Sequence, residues 1–269
     1  MSTRTLSARI RGIGLLGPGI DDWPTGAAIL AGSTPYVSRT TALPAPTSLP
    51  AAERRRTGAV VRLALAIGFE AASRAGVSPS ELVTVFSSSG GDGYNCHEIC
   101  QTLASNDRQL SPTRFHNSVH NAASGYWSIA AHATPASNVL CAFDASFGAG
   151  LLEALALVAV ERIPVLLVAY DAGYPEPLHR VRPIPDAFGV ALVLSPATEA
   201  AGGTPFPRIT AQLTDDAAST SSDPGLEALR SAIPAARSLP LLTRIARADT
   251  GRVVLDYLEN QRIAVEVFP

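Results

Sequence analysis

The chain has 269 residues, of which 46% are hydrophobic and 16% charged, and its formal net charge is −2. That length and balance describe a globular protein of one large domain or two small ones, with enough chain for a full core. Near-neutral charge excludes a bulk electrostatic pull toward nucleic acid or an anionic membrane. All 21 lysine-plus-arginine positions are arginine, which excludes Schiff-base, P-loop and lysine general-base chemistry. No uninterrupted apolar run reaches the roughly 18 residues that a membrane helix needs. The opening MSTRTLSARIRGIG has no long apolar signal core and reads as the start of a strand, so the expected location is the cytoplasm. Cys96, Cys100 and Cys141 are an odd set without the spacing of a disulfide framework.

In chain order, residues 6–16 read as a strand that ends at Gly17. Asp21-Asp22-Trp23-Pro24 opens a short helix, with proline in its first turn. Residues 33–52, rich in Pro, Ser and Thr, read as a loop. Apolar residues recur at helical spacing from Arg54 to Ala75. A buried strand over Leu82–Phe86 is followed by the turn Ser87–Gly93. Helices are predicted over 94–103 and 118–132, a strand over 138–143, a helix over 145–162 that is buried almost all round, and a strand over Val165–Tyr170. Phe188–Leu194 reads as another apolar strand, 197–206 as a Gly/Ala/Thr/Pro loop, 208–213 as a strand and 225–236 as a helix. The final RVVLDYLENQRIAVEVF alternates and turns at Glu259-Asn260-Gln261, a hairpin pattern. Strands alternating with helices predict an α/β fold with a largely parallel sheet covered on both faces.

The stretch CAFDASFGAG, residues 141–150, makes a strand, a sharp turn and a buried helix. Nucleophiles favour such turns, because a helix N-terminus stabilises an anion; the residue at this turn is Asp144. The segment before it, SPTRFHNSVHNAASGYWSIAAHATPASNVLCAFD, resembles the approach to the active site of β-ketoacyl synthases, the condensing enzymes of fatty acid and polyketide synthesis. Ser111, Pro112, Asn121, Ala122, Gly125, Ser128 and Ile129 match the family pattern without a gap, and the family's nucleophilic cysteine then falls on Asp144. IRGIGLLGPGIDDWPTGAAILAG, VTVFSSSGGDGY and RPIPDAFGVALVLSP resemble further segments of the family, in order, so the resemblance covers roughly residues 8–196. The chain is most similar to the short N-terminal-type members called chain length factors, which resemble components of aryl-polyene-type pigment gene sets. The resemblance implies a thiolase-like fold with a mixed, mostly parallel sheet and a strongly reduced second half. Residues 1–196 are then the ketoacyl-synthase-like half, and 197–269 a reduced second half packed on the same domain.

The departures from the family decide the expected function. No histidine follows His179, and the family's later histidine, asparagine and lysine elements have no counterpart. A carboxylate is a poor substitute for a thiolate toward a thioester, and it would repel a malonyl anion in a low-dielectric pocket. Asp144 reads first as a helix N-cap, accepting from the N–H of Ser146 or Phe147; a binding or catalytic role is the other reading. Cys141 reads as an inert thiol inside a strand, and Ser146 lacks the Gly-x-Ser-x-Gly setting of a hydrolase. His116 and His120, at helical i and i+4, have no third metal ligand. They are read, with Asn121, Asp144 and Ser146, as lining an old active-site cleft. Cys96, His97 and Cys100 make a weak metal pattern, and Ser89–Gly93 a tight turn that resembles a phosphate cradle. Arg54-Arg55-Arg56 reads as a solvated face or a contact for an acidic acyl carrier protein, and Trp23 and Trp127 as core or interface anchors. No cofactor and no metal are expected. The first functional expectation is a non-catalytic subunit, a pseudoenzyme, paired with an active β-ketoacyl synthase through the region around 117–160. The alternatives are an acyl-thioester hydrolase or transferase using Asp144, His116 or His120, and a self-associating scaffold.

Overall fold

A computed structural model describes residues 5–197 and 206–269; the loop expected over 197–206 falls almost wholly outside them. The first elements are β1 (Leu6–Leu16), α1 (Trp23–Ala31), the single turn α2 (Ala51–Arg54), α3 (Ala59–Ala75) and β2 (Val83–Ser87). Next come α4 (Gly93–Ala104), α5 (Pro112–His116), α6 (Ala122–Ala131), β3 (Ser137–Leu140), α7 (Ser146–Glu161), β4 (Val165–Asp171), α8 (Leu178–Val181) and β5 (Phe188–Pro196). The remaining chain forms β6 (Arg208–Thr214), α9 (Pro224–Ala232), α10 (Leu239–Ala246) and the hairpin β7 (Gly251–Leu258) and β8 (Gln261–Phe268).

All eight strands join one sheet in the order β3-β2-β4-β5-β1-β6-β8-β7. Only β2–β3 and β2–β4 run parallel; the other five pairings are antiparallel. The α/β architecture with a mixed sheet is as expected, but "mostly parallel" is corrected. A parallel pair needs a long crossover, which α4–α6 supply between β2 and β3 and α7 supplies between β3 and β4. Between β4 and β5 the chain turns back with just the short α8, and the C-terminal strands add as antiparallel neighbours.

Strand alternation divides the core into two layers. On β4, Val165, Leu167 and Ala169 face the layer with α7, α9, α10 and the hairpin, while Leu166, Val168 and Tyr170 face the layer with α3 and α6. Gly12 and Gly14 on β1 let α3 pack against the strand, because a Cβ at either position would overlap the carbonyl of Ala71 or Ile67. Glu70 on α3 then reaches back to accept from the backbone N–H of Leu15 at 2.9 Å and of Trp23 at 2.8 Å. That fixes the exit of β1 and the start of α1.

Several element ends differ from the periodicity. α3 begins at Ala59 instead of Arg54, because Gly58 is extended before it. The helix expected over 118–132 is broken by a turn at 117–121. There the buried Asn117 donates to Arg56 O at 2.8 Å and accepts from the Tyr126 hydroxyl at 3.1 Å. The helix expected over 225–236 stops at Ala232, ahead of Pro234, and continues as a 3-10 turn over Pro234–Ser238. α7 is buried along one face only, and Val160 near its end is 75% exposed. The stretch Phe143–Glu161 is long and apolar enough to span a bilayer by length and composition. That corrects the count made from uninterrupted runs, yet half of it is buried inside the molecule, where it packs on β1, β2, β4 and β5.

Candidate functional site

The C-terminal ends of β2, β3 and β4 lie side by side, and the candidate residues gather in the turns that follow them. After β3 the chain makes a 3-10 turn, Phe143–Ala145, entered through Phe143 at a left-handed φ of 50°. Ser146 closes this turn. Its Oγ donates to Phe143 O at 2.7 Å and accepts from Ala142 N–H at 3.1 Å. The hydroxyl is buried and occupied by backbone, which leaves Ser146 a structural role.

Asp144 is not a helix cap: neither the 3-10 turn nor α7 has a side-chain cap. Its carboxylate instead bridges two arginines, with Oδ1 2.6 Å from Arg182 and Oδ2 3.0 Å from Arg237. The charges continue outward: Arg237 faces Asp256 at 3.4 Å, Asp256 faces Arg230 at 3.2 Å, and Arg230 pairs with Glu227 at 2.7 Å. The cap reading fails because the turn itself displaces the carboxylate from the helix axis, toward guanidinium groups that the C-terminal segment brings in. An alternating row of this kind balances its own charge. Each Asp144 oxygen is thus held by a guanidinium group.

Asp171, at the end of β4, is the residue that motif reading missed. It is 2% exposed, accepts from Ser89 N–H at 2.8 Å through Oδ1, and from Ala235 N–H at 2.9 Å through Oδ2. Burial pushes its carboxyl up to about 6, against the lowering effect of those hydrogen bonds and of Arg182. It ties the turn after β2 to the 3-10 turn before α10. The only sequence signal was an acid closing an otherwise apolar strand.

The remaining candidates divide. His120 is half-buried with Nε2 3.2 Å from Ser88 O, and Cys141 places Sγ 3.1 Å from Ser89 O, so both meet the turn after β2. Cys141 lies just past β3 and is exposed, which corrects the reading of a buried strand thiol: β3 ends one residue earlier, at the sheet edge. His116 is exposed at the end of α5, and Asn121 is exposed before α6 without making a side-chain cap. Two amides of the turn Ser89–Gly93 are already engaged, Ser89 N–H by Asp171 and Gly91 N–H by Ser88 Oγ, and Asp92 caps α4 by accepting from Asn95 N–H. Cys96 and Cys100 are exposed on α4, and the Cys96 thiol is pushed up by partial burial and then by Cys100. Among the described residues no three His, Cys, Asp or Glu side chains converge as a metal site. Trp127 is a core anchor, its ring 4.8 Å from Phe69.

A separate cleft of about 480 Å³ lies between α1, α10 and β7, lined by Arg244, Arg247 and Arg252. Its arginines are engaged internally. Arg252 meets Asp216 and Glu266, Arg244 lies 3.9 Å from Asp249, and Arg247 donates to Leu30 O.

The β-ketoacyl synthase N-terminal domain profile matches residues 31–247, starting after β1 and running through α10, past the end of the resembling segments. No curated protein sequence matches the chain. Among solved structures, the chain is similar to one from "Ketosynthase (ApeO) in Complex with its Chain Length Factor (ApeC) from Xenorhabdus doucetiae", at 26% identity and TM-score 0.71, covering 97% of this chain and 99% of that one. It is similar to a chain of "The ishigamide ketosynthase/chain length factor" at 13% identity and TM-score 0.69, over 97% and 99% of the two chains. It is also similar to a chain of a type II polyketide complex, AntDE:AntF, of an acyl-carrier protein with its ketosynthase bound to the hexaketide, at 8% identity and TM-score 0.74, over 98% and 99%. The last two likenesses show the fold. Since the matched span holds the strand, turn and helix around Asp144, this chain belongs to the β-ketoacyl synthase N-terminal domain family.

Proposed function

We propose that this protein is a non-catalytic, chain-length-factor-type subunit that pairs with an active β-ketoacyl synthase in fatty acid, polyketide or aryl-polyene-type biosynthesis. The observation that carries the reading is the fate of the nucleophile-equivalent position: Asp144 is clamped between Arg182 and Arg237. An ion-paired carboxylate neither attacks a thioester nor accepts a malonyl anion.

Pairing is supported by the edge of the sheet. β3 has a neighbour on one side only, which leaves a row of unpaired backbone groups. Exposed apolar side chains flank it: Phe115 and Val119 before α6, Ile129 on α6, and Val160 on α7. Asn138 of β3 donates to Glu153 of α7 at 2.8 Å, and Glu153, Leu157 and Val160 share one helix face by spacing. An open edge with apolar helices on both sides suits a protein partner. The 26%-identical likeness is to a chain from a ketosynthase–chain length factor complex, and we read the partner here as a synthase of that kind. Self-pairing through the same edge is the homodimer alternative. Arg54 at the end of α2 and Arg55 just past it are exposed without an acidic partner among the described residues, and we assign them to an acidic acyl carrier protein. In this reading residues 1–196 are the retained synthase half, 197–269 the reduced second half, and the protein works in the cytoplasm.

The test uses the purified chain with acyl- and malonyl-thioesters, alone and with the synthase expressed from the same locus. No turnover alone, no condensation from Asp144→Cys, and a changed product length with the synthase are expected. Turnover by the isolated chain that Asp144→Ala abolishes would restore the hydrolase or transferase reading, with His116 or His120 as its base.

A further inference from the structure

Phe143 immediately precedes Asp144, and its setting is costly in two ways. Its φ of 50° lies in the left-handed region, which a bulky L-residue rarely adopts. The residue is also 60% exposed. Yet the surroundings hold it there. Ser146 Oγ grips Phe143 O at 2.7 Å, and the Arg182 guanidinium lies over the ring, 3.7 Å from its centre. Asp144 holds Arg182 at 2.6 Å and is held in turn by Arg237. Phe115 is just as exposed, but neither a left-handed backbone nor a stacked cation fixes it.

Backbone strain and a fixed exposed aromatic persist only where the surrounding structure over-determines them, and such places concentrate at sites of function. A ring fixed before binding also loses little rotamer freedom on docking. Phe143 lies three residues beyond the end of β3, the unpaired edge strand, so it follows directly in the chain from the edge at which pairing is proposed.

From this geometry we infer that Phe143 is a preorganised anchor that enters an apolar pocket of the partner synthase. Ser146, Arg182 and Asp144 are the positioning residues that hold it. The inference rests on the pairing proposed above. It also accounts for Asp144, since the position that carries a nucleophile in the family here braces a binding residue through Arg182.

The test measures the dissociation constant of the pair, by calorimetry with the co-expressed synthase, together with the melting temperature of the isolated chain. Phe143→Gly removes the ring and suits the left-handed backbone. Pairing should weaken at least about tenfold while the isolated chain melts at the same or a higher temperature, a combination that general damage to the fold does not produce. Phe143→Trp should retain pairing. Arg182→Met, which leaves the ring in place but unbraced, should weaken pairing by a smaller factor than Phe143→Gly. If the wild-type chain pairs and Phe143→Gly pairs with the same constant, the anchor is wrong and the pairing stands, whatever happens to product length. If the wild-type chain binds no synthase, both fall.

Discussion

Asp171 closes β4 and Asp144 follows β3 at the same end of the sheet, and their surroundings make them opposites. Asp144 is partly exposed and neutralised by two guanidinium groups. Asp171 is buried and held by backbone N–H groups, with burial raising its carboxyl to about 6. The folded state therefore binds this proton more tightly than the unfolded chain does. Its stabilising contribution is complete below the unfolded value near 3.8 and is lost as pH rises through about 6. That is on the order of 3 kcal/mol. Asp171→Asn removes the titration and leaves one of the two N–H donors without an acceptor, so the variant is less stable. Urea unfolding from pH 4.5 to 7.5 should show the gap to wild type narrowing as pH rises; a gap that widens would refute the assignment. Chain-local reading located Asp144 at its turn but not its partners. Arg237 stands 93 positions away, and no pattern of spacing links the two.

Helix α3 and strand β1 show how far element-scale reading carries. Helical periodicity over 54–75 and an apolar strand over 6–16 were both legible, since each depends on the side chains of one short segment. The contact between them depends on Gly12 and Gly14 meeting the α3 backbone. Gly14→Val should lower stability by about 1–3 kcal/mol or more, read as a fall in the denaturant midpoint with little change in slope. A midpoint unchanged from wild type would mean that the strand and helix do not approach this closely. Element ends were less legible, because side chains from elsewhere set them. The turn before α6 is held by Asn117 bonding to Arg56 and Tyr126, a contact between the end of α2 and α6 that no window contains.

For the molecule as a whole, the two ends of the sheet, β3 and the C-terminal strands, have different parts. Residues 206–269 extend the sheet past β1 and bury Ile263, Val265 and Val267 of β8. They also carry Arg237 and Ala235, which secure Asp144 and Asp171. The opposite end keeps its edge and its exposed apolar side chains. Ile129→Asp with Val160→Asp should therefore abolish pairing with the synthase. The isolated chain should keep its circular dichroism spectrum and its stability within about 0.5 kcal/mol. Pairing that survives both charges would move the interface away from β3.

The sequence by itself determined the succession of strands and helices, the family pattern leading to the turn at Asp144, and the absence of lysine and of any histidine after His179. These are properties of residue type and short-range spacing. Only the tertiary structure decided that most strands pair antiparallel, that Asp171 is buried, and that Asp144 braces an arginine under an exposed phenyl ring. Strand direction follows from where each connection returns, and burial and charge pairing follow from which distant segments meet. Neither is encoded in any single stretch of chain.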